Sequence, residues 1–500
     1  MTSERLRTLP HPHGKASRFP RDAPFSVHPA LPPRRGHSVP ILSLQGGIPF
    51  MKRALTCILF LCVCLPLLLP SAAYAAASSI VLPADPTQAY ITLGILLIAA
   101  LMFFTEVIPL PITALLVPIT LSLTGIISAE KAFSYFGDPT VVLFMAMFIV
   151  GEGTFITGFA DMVGRAAVRI SRGNTVLLLI SAMTAVGLLS TVLSNTGTIV
   201  VAVPMILGIC LSARISPGKI LLPVAYAASL GGTVTLVGTP PNGIINSMLA
   251  QAGAQTFTFF EFAYIGLPLL LAGLLYYGLI GHRFLPDHPD TDEELYLAEE
   301  TPRRRKKLPH AMLIFGFVVI MMASEAMPLT TAAMIGACLM VMTRCMTMHE
   351  AFHSVDWTTI FLFAGMLSMS AAMTSSGAAA MVAHAVVSRF SDPWLLMAVC
   401  CLLTTLLTHF MSNTATAALM APLALPIANA SGISPLPLCM GIAMTASTCF
   451  LTPVATPPNT IVLGPGRYSF LDYVKYGWPL QLISMLLCVL LIPLIWPFHP

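Results

Sequence analysis

The chain has 500 residues, of which 56% are hydrophobic and only 9% are charged, and its formal net charge is +4. Because soluble domains carry about 25% charged residues, this composition excludes a water-soluble globular protein. Repeated apolar runs of roughly 20 residues can span a bilayer as helices, whereas barrel strands would give short alternating segments. The composition therefore predicts an all-α polytopic membrane protein.

The N-terminal region differs from the rest of the chain. Residues 1–50 are rich in Pro and Arg and contain no apolar run, which predicts a disordered tail or one that is not translated. A Lys-Arg pair follows Met51 and precedes an apolar run that ends near an Ala-Tyr-Ala string. Residues 51–80 are therefore either a cleaved signal peptide or a first transmembrane helix. Both alternatives leave residue 80 outside the cytoplasm.

A series of apolar runs and one amphipathic segment then make up the first half. The amphipathic segment carries Arg165, Arg169 and Arg172 along one predicted helix, which favours a position in the membrane interface. One later run is interrupted by Gly231-Gly232 and by Thr239-Pro240-Pro241-Asn242. The predicted elements are 88–107, 109–127, 139–158, the amphipathic 159–172, the arms 175–193 and 197–212, the interrupted run 220–250, and 262–281.

Residues 282–308 form the one strongly charged loop between the apolar runs. Acidic residues come first, and Arg303-Arg304-Arg305-Lys306-Lys307 follows them. The positive-inside rule assigns this loop to the cytoplasm. A basic cluster can also bind nucleic acid, but a topology signal is far more typical beside a membrane span, so we expect no nucleic-acid partner.

Short polar strings occur twice at nearly constant spacing. Ser194-Asn195-Thr196 recurs as Ser412-Asn413-Thr414, and Thr239-Pro240-Pro241-Asn242 recurs at almost the same offset as Thr456-Pro457-Pro458-Asn459. Three further pairs recur at similar offsets. Residues 88–281 and 309–497 are therefore interpreted as two copies of one unit. The further pairs are Glu106-x-x-Pro109 with Glu325-x-x-Pro328, Asp138-x-Thr140 with Asp356-x-Thr358, and Gly266-x-Pro268 with Gly477-x-Pro479.

The two copies are predicted to be inverted. If the hairpins at 175–212 and 393–428 are re-entrant, entering and leaving on one side, each copy crosses the membrane five times. An odd number of crossings makes the second copy start on the opposite face, and with the first apolar run the total is about 11 spans. Inverted repeats are common in secondary transporters, where the site lies near the midplane at the repeat interface.

The duplicated strings predict a binding site in the membrane. Unpaired polar groups cost several kcal/mol in hydrocarbon, so a Ser-Asn-Thr string at a hairpin tip either caps a helix or lines a site, and its duplication favours a site. Two prolines break a helix. Two helices broken at matched points would point positive N-terminal ends at an anion, while their unwound carbonyls could hold a cation.

The distribution of charged residues favours Na⁺ as the coupling ion. Asp, Glu, His, Lys and Arg are all absent between Asn174 and Arg214, and again between Lys219 and Glu261. An anion would therefore be held by hydroxyls, amides and helix ends, and their oxygens suit a hard cation. A proton-coupled carrier needs a titratable group in the membrane, for which His409 is the one candidate beside a tip. A lone His there is more often a packed, hydrogen-bonded residue.

The paired strings, together with Thr105-Glu106-Val107-Ile108-Pro109-Leu110, resemble the divalent anion/sodium symporter family, also called solute carrier family 13. The resemblance covers about residues 55–498. It implies a dimer with a fixed scaffold and a moving transport domain, working by an elevator mechanism. Gly197 and Met411 depart from residues common in the family, and the bulk of Met411 bears on the second ion site.

The resemblance also implies which residues form the sites. A first Na⁺ site would use Ser190, Ser194, Asn195 and Gly238. A second would use Thr408, Met411, Asn413 and Ala455, with Met411 and Ala455 contributing backbone carbonyls. The substrate-binding residues would be Ser194, Asn195, Thr196, Ser412, Asn413, Thr414, Thr239, Pro240, Thr456 and Pro457.

The predicted function is Na⁺-coupled symport of a small divalent anion across the cell membrane, with C4-dicarboxylates such as succinate, malate or fumarate as substrates. A sodium-independent dicarboxylate exchanger and a transporter of sulfate or another inorganic dianion are alternatives within the family. An intramembrane enzyme would need a nucleophile–base pair or metal ligands such as H-E-x-x-H within the membrane, and the apolar runs contain none.

Overall fold

The computed structural model describes residues 86–499, except for residues 160–161, 164–168, 170–173, 214, 287–302, 391 and 454. The predicted tail, the segment 51–80 and most of the amphipathic segment 159–172 lie outside the described residues, as does most of the charged loop. Within the described part, all regular secondary structure is helical, as the composition predicts.

The first half contains nine α-helices in its described part. The hairpin that was predicted around Ser194 corresponds to α5 and α6, and the interrupted run corresponds to α7 and α8. The bounds are α1 Thr87–Thr105, α2 Leu110–Leu123, α3 Ala129–Ser134, α4 Pro139–Thr157, α5 Thr175–Ser190, α6 Asn195–Ala213, α7 Leu221–Gly232, α8 Pro240–Gln251 and α9 Ala263–Leu279.

The second half repeats this order, and its short helix α14, before the second hairpin, corresponds by the repeat offset to a part of the first half that lies mostly outside the described residues. That hairpin consists of α15 and α16, and the second broken helix consists of α17 and α18. The bounds are α10 Leu308–Ala323, α11 Leu329–Met342, α12 Met348–Ser354, α13 Trp357–Ser375, α14 Ala378–Val387, α15 Pro393–Thr408, α16 Asn413–Ala430, α17 Pro435–Ser447, α18 Pro457–Leu463 and α19 Phe470–Ile495.

Helix ends match between the two halves. Glu106 ends α1 in the left-handed conformation with φ of 49°, and its counterpart in the repeat, Glu325, adopts a φ of 52° just after α10. Asp138 starts α4 by accepting a hydrogen bond from the Thr140 backbone N–H at 2.9 Å. Asp356 starts α13 in the same way. Residues paired by sequence spacing therefore have the same local structure.

The prolines of the two Thr-Pro-Pro-Asn strings begin helices and do not lie in the middle of one. α7 ends at Gly232, and α8 begins only at Pro240, which occupies its first position. α17 ends at Ser447, and α18 begins at Pro457. Proline is favoured at this position because its fixed φ suits the first turn and its missing N–H would be unpaired there. The unwound segments are 233–239 and, among the described residues, 448–453 with 455–456.

The halves interlock through the broken helices. The first arm of each hairpin packs against the first part of its own half's broken helix, α5 on α7 and α15 on α17. The second part crosses to the other half: α8 packs against α16 and α17, and α18 packs against α6 and α7. Farther out, α2 packs on α13 and α4 packs on α11. Residues of both halves therefore surround the hairpin tips.

Helix lengths and surfaces agree with a membrane protein. In the described part, five helical stretches are long and apolar enough to cross a bilayer, and eight shorter helices are also apolar. Large apolar side chains such as Leu123, Leu313 and Leu494 are exposed, by 82%, 77% and 71%. Such outward apolar faces suit contact with lipid. The five long stretches are Thr87–Thr105, Ala129–Thr157, Arg305–Ala323, Trp357–Ser375 and Phe470–Ile495.

Candidate functional site

Both hairpin tips are built by a serine that caps the following helix. Ser194 Oγ accepts a hydrogen bond from the Gly197 N–H at 3.0 Å. Ser412 Oγ accepts one from the Ala415 N–H at 3.1 Å. The capping role considered for the Ser-Asn-Thr strings is therefore present in both halves, and it fixes the positive N-terminal ends of α6 and α16 at the two tips.

A cluster of oxygen atoms surrounds the Asn195 side chain. One atom of its amide group lies 2.5 Å from Ser190 Oγ, 3.2 Å from the Ala228 carbonyl oxygen and 3.3 Å from the Gly238 carbonyl oxygen. Because both carbonyls are acceptors, this atom is the amide nitrogen, which donates to them. The first hairpin is thereby joined to α7 and to the end of the unwound segment. Three of the four residues expected at the first ion site meet in this cluster.

The second half contains a corresponding cluster around Asn413. Thr408 holds the position that Ser190 holds in the first half, and its Oγ1 lies 2.9 Å from Asn413 Oδ1 and 2.8 Å from the Ala446 carbonyl oxygen, so that its one hydroxyl hydrogen is shared between these two acceptors. Ala446 is the counterpart of Ala228 in the repeat. Each tip asparagine is therefore linked to a hydroxyl at the end of the preceding helix, and each tip is joined to its broken helix through an alanine carbonyl.

Threonines tie the unwound segments to the tips. Thr235 Oγ1 donates to the Thr191 carbonyl oxygen, and Thr452 Oγ1 donates to the His409 carbonyl oxygen at 2.9 Å. Donors and acceptors both occupy matched positions of the two repeats. The unwound segments are thus held in place by polar side chains, as irregular backbone at membrane depth requires.

The other residues expected to bind substrate differ in exposure. Thr196 and Pro457 are exposed, and Pro240 and Ser412 are half-buried. The side chains of three threonines are buried. These are Thr239 (1% exposed), Thr456 (2%) and Thr414 (8%). Met411 and Ala455, the expected carbonyl ligands of the second ion site, are also buried, at 1% and 2%.

Glycines permit close packing around the first cluster. A Cβ atom added to Gly232 would lie 2.5 Å from the side-chain amide of Asn195, and one added to Gly238 would lie 2.8 Å from the Thr191 carbonyl oxygen. A Cβ at Gly197 would lie 2.6 Å from the Phe155 ring. The ring of Phe155 therefore leaves no room for a side chain at this position unless the ring moves.

A histidine and a cysteine lie beside the second cluster. His409 is only 5% exposed, and its Nδ1 lies 2.9 Å from Cys449 Sγ. Its Nε2 has no hydrogen-bond partner among the described residues. The corresponding residues of the first half are Thr191 and Gly232. His409 is thus a buried histidine with one ring nitrogen in contact with a neighbouring side chain.

Several contributors to the site are not evident from the sequence. The carbonyls of Ala228 and Ala446 carry no sequence signal, since any residue supplies a carbonyl. Thr235 and Thr452 could have been found, because they are identical residues at the offset of the two Thr-Pro-Pro-Asn strings. Tyr226 lies outside the repeated strings, and its hydroxyl donates to the Phe450 carbonyl oxygen at 2.7 Å, which joins the two broken helices.

The donor set suits a hard monovalent cation better than a transition metal. The two clusters offer hydroxyl, amide and carbonyl oxygens, the ligands that broken helices use for Na⁺ in transporters. No group of three or more His, Cys, Asp or Glu residues able to hold a metal ion occurs in the part of the chain that the structure describes. The residues expected at the ion sites therefore fit Na⁺ in their chemistry.

Comparison with known families and proteins agrees with a transport role. The model of the citrate transporter family matches residues 100–391, and that of the sodium:sulfate symporter transmembrane region matches residues 303–498. An uncharacterized transporter of Haemophilus influenzae is 30% identical, covering 81% of this chain and 91% of that protein. The sodium-dependent dicarboxylate transporter SdcS of Staphylococcus aureus is 26% identical, covering 82% of this chain and 87% of SdcS.

The fold is similar to that of a solved transporter structure. The crystal structure of the YdaH transporter of Alcanivorax borkumensis superposes with a TM-score of 0.52 at 16% sequence identity. The similar region covers 76% of this chain and 90% of that one. At this identity the comparison supports a shared all-helical transporter architecture.

Proposed function

The chain belongs to the divalent anion/sodium symporter family, and we propose that it is a sodium-coupled symporter of C4-dicarboxylates such as succinate, malate and fumarate. It is a transporter and not an enzyme. The similarity to the sodium-dependent dicarboxylate transporter SdcS supports both the ion and the substrate class.

The observation that carries the proposal is the pair of matched oxygen clusters in segments without charged side chains. Asp, Glu, His, Lys and Arg are absent between Asn174 and Arg214, the segment that contains Asn195. They are also absent from residues 410–466. Bound Na⁺ would supply the positive charge that these segments lack, next to the N-terminal ends of α6 and α16. A dianion then needs no fixed arginine or lysine for neutralisation. Coupling follows because the substrate binds well only when the cations are present.

We assign the first Na⁺ site to Ser190, Ser194, Asn195 and Gly238, and the second to Thr408, Met411, Asn413 and Ala455. The Ser190 hydroxyl and the Gly238 carbonyl, which both lie beside the Asn195 side chain, offer oxygen ligands and support the first assignment. The bond between Thr408 and Asn413 supports the second. The substrate carboxylates would lie between the two tips, where Thr196 and Pro457 are exposed. The proposed substrate-binding set comprises Ser194, Asn195, Thr196, Ser412, Asn413, Thr414, Thr239, Pro240, Thr456 and Pro457.

We propose further that the repeats are inverted, with about 11 spans, and that a homodimer in the cell membrane transports by an elevator mechanism. The crossing of α8 to α16 and of α18 to α6 supports two structurally equivalent halves. An epitope or reporter in the loop near residue 295 should be found on the cytoplasmic side of the membrane. One at the C-terminus should be found on the outer side. Reporters on the same side would disprove the inverted arrangement.

Two other substrate assignments have specific support. The matching family models are described as citrate and sodium:sulfate transporters. A thermal-shift screen of succinate, malate, fumarate, citrate and sulfate, each with Na⁺ and with choline, separates them because a ligand that binds the folded state raises the midpoint. The proposal predicts the largest shift for a C4-dicarboxylate, and only with Na⁺. A shift by sulfate or citrate alone would contradict the substrate class, and equal shifts in choline would favour a sodium-independent exchanger.

A further inference from the structure

One metal-binding motif lies away from the transport site. Although the apolar runs contain no H-E-x-x-H string, the chain carries one as His349-Glu350-Ala351-Phe352-His353 on the short helix α12. This helix lies between α11 and α13, and it is not among the helices that could cross a membrane. Residues four apart on a helix lie on one face, so both histidines project from the same side of α12.

The two imidazoles already lie together on the surface. Their ring centroids are 4.2 Å apart at an interplanar angle of 75°, and both residues are exposed. Exposed side chains can rotate at little cost, so both rings can turn one nitrogen toward a common point. Imidazole nitrogen is a good ligand for Zn²⁺, Ni²⁺ and Cu²⁺.

The glutamate of the motif is already engaged by other groups. Glu350 accepts two hydrogen bonds from the Arg304 guanidinium, at 2.6 and 2.9 Å. It also accepts bonds from the backbone N–H and hydroxyl of Thr347, at 2.6 and 2.9 Å. An anion held in this way is a poor general base for a metal-bound water, which is the role that glutamate plays in H-E-x-x-H peptidases.

The helix that presents the histidines is fixed in place. Thr347 and Glu350 form a capping box at its N-terminus. The backbone N–H of Arg304 also donates to the Ile156 carbonyl oxygen at 3.0 Å, and its guanidinium donates to the Cys345 carbonyl oxygen at 3.2 Å. The ends of α4 and α11 therefore hold Arg304, and Arg304 in turn holds α12. Because the backbone that carries both histidines is already fixed, less conformational entropy is lost on metal binding than in a flexible segment.

We propose that His349 and His353 form a surface site for a divalent transition-metal ion, with water in the remaining coordination positions. No third His, Cys, Asp or Glu completes a cluster among the described residues, so the site holds metal without the geometry of a catalytic zinc centre. The order of affinities should follow the usual series, with Cu²⁺ above Ni²⁺ and Zn²⁺. This site is independent of the proposed transport function.

The test is metal titration of the full-length protein purified through a tag that lacks histidine. Cu²⁺ and Ni²⁺ binding would be measured by calorimetry for the wild type, for H349A, H353A and the double variant, and for H310A. His310 is an exposed histidine outside the motif, and it serves as the matched control. Histidines in residues 1–50 are present in every variant, so differences between variants report the site alone.

We expect the wild type and H310A to bind one ion more than the double variant. Each single variant should lower the affinity for that additional ion by roughly tenfold or more, since even the loss of a residue that only supports a ligand lowers metal affinity by about that factor. The Cu²⁺ electron paramagnetic resonance spectrum should show two nitrogen ligands in the wild type and lose this signature in H349A. Equal stoichiometry and affinity in the wild type and the double variant would overturn the proposal, and so would a two-nitrogen spectrum that survives in H349A.

Discussion

Asn242 and Asn459 make the same hydrogen bond in the two halves of the molecule. Each donates its side-chain amide to the carbonyl oxygen of a threonine in the preceding unwound segment, Asn242 to Thr235 at 2.8 Å and Asn459 to Thr452 at 3.0 Å. Asn459 also donates to the Cys449 carbonyl oxygen at 3.0 Å. Both asparagines are fully buried. The first turn of each second half-helix therefore holds the unwound segment that precedes it.

We expect Asn242→Ala and Asn459→Ala each to destabilise the protein and weaken Na⁺ binding. Removing the amide leaves a buried carbonyl unpaired, which costs about 1–3 kcal/mol, and frees the unwound segment. The measurements are the thermal midpoint and the Na⁺ concentration for half-maximal transport. The control is Asn246→Ala on α8, whose amide pairs with Phe257. If Asn246→Ala raised the Na⁺ requirement as much as Asn242→Ala, the specific role of the unwound segment would be wrong.

The tip asparagines should be essential for transport. We expect Asn195→Ala and Asn413→Ala to abolish dicarboxylate uptake, because each removes the amide at the centre of one oxygen cluster. Size-exclusion profiles and helical circular dichroism should remain those of the wild type. Asn429→Ala is the matched control, since Asn429 is exposed near the far end of the helix that Asn413 begins. Wild-type uptake by both tip variants would show that the clusters are structural caps only.

The tight packing at Gly232 predicts a difference between the halves. We expect Gly232→Ala to impair transport strongly, because the added methyl group would lie 2.5 Å from the side-chain amide of Asn195 and displace it. The corresponding residue of the second half is Cys449, so Cys449→Ala should retain most activity. The comparison uses initial uptake rates normalised to the amount of reconstituted protein. Equal activity of both variants would mean that the position of Asn195 is not limiting.

The ion pair of Arg304 and Glu350 should make stability depend on pH. The pKa of Glu350 is lowered from its ordinary 4.5 in the folded protein. The stabilisation is therefore complete above that ordinary value and is lost as the pH falls through the lowered one. Because both side chains are about one-third exposed, we expect the contribution to be about 1 kcal/mol or less.

Thermal midpoints of the wild type and Glu350→Gln, measured with chelator between pH 3 and 7 (roughly the range of carboxylate titration), test this pair. The wild type should exceed Glu350→Gln near neutral pH, and the difference should shrink on acidification. A difference that is independent of pH would show that the carboxylate charge contributes nothing.

Much of the fold follows from the sequence. The apolar runs, the matched strings and the hairpins were predictable because each depends on local composition or on repetition. Glu106 and Glu325, which the sequence spacing pairs, also share the left-handed conformation. The ends of the broken helices were less predictable. The prolines suggested a break at the Thr-Pro-Pro-Asn strings, but α7 already ends at Gly232. Pro240 instead starts the next helix, because proline suits a first turn.

The site could be predicted only in part. Serine, threonine and asparagine at repeated positions are visible in the sequence, and they include Ser190, Asn195 and Thr408. The positions of the Ala228 and Ala446 carbonyls are set by how α7 and α17 pack against the hairpins. The residue type alanine does not indicate that packing. The contact between His409 and Cys449 joins a hairpin tip to the break in a distant helix, so spacing along the chain could not indicate it.

We propose above that Na⁺ supplies the positive charge that the two oxygen clusters around Asn195 and Asn413 lack. The most direct measurement is uptake of labelled succinate into proteoliposomes that contain the purified protein, with an imposed inward Na⁺ gradient or with choline replacing Na⁺. We expect accumulation with the Na⁺ gradient, little uptake in choline, and collapse of accumulation when an ionophore dissipates the gradient. Equal succinate uptake in Na⁺ and in choline would show that transport is not coupled to Na⁺.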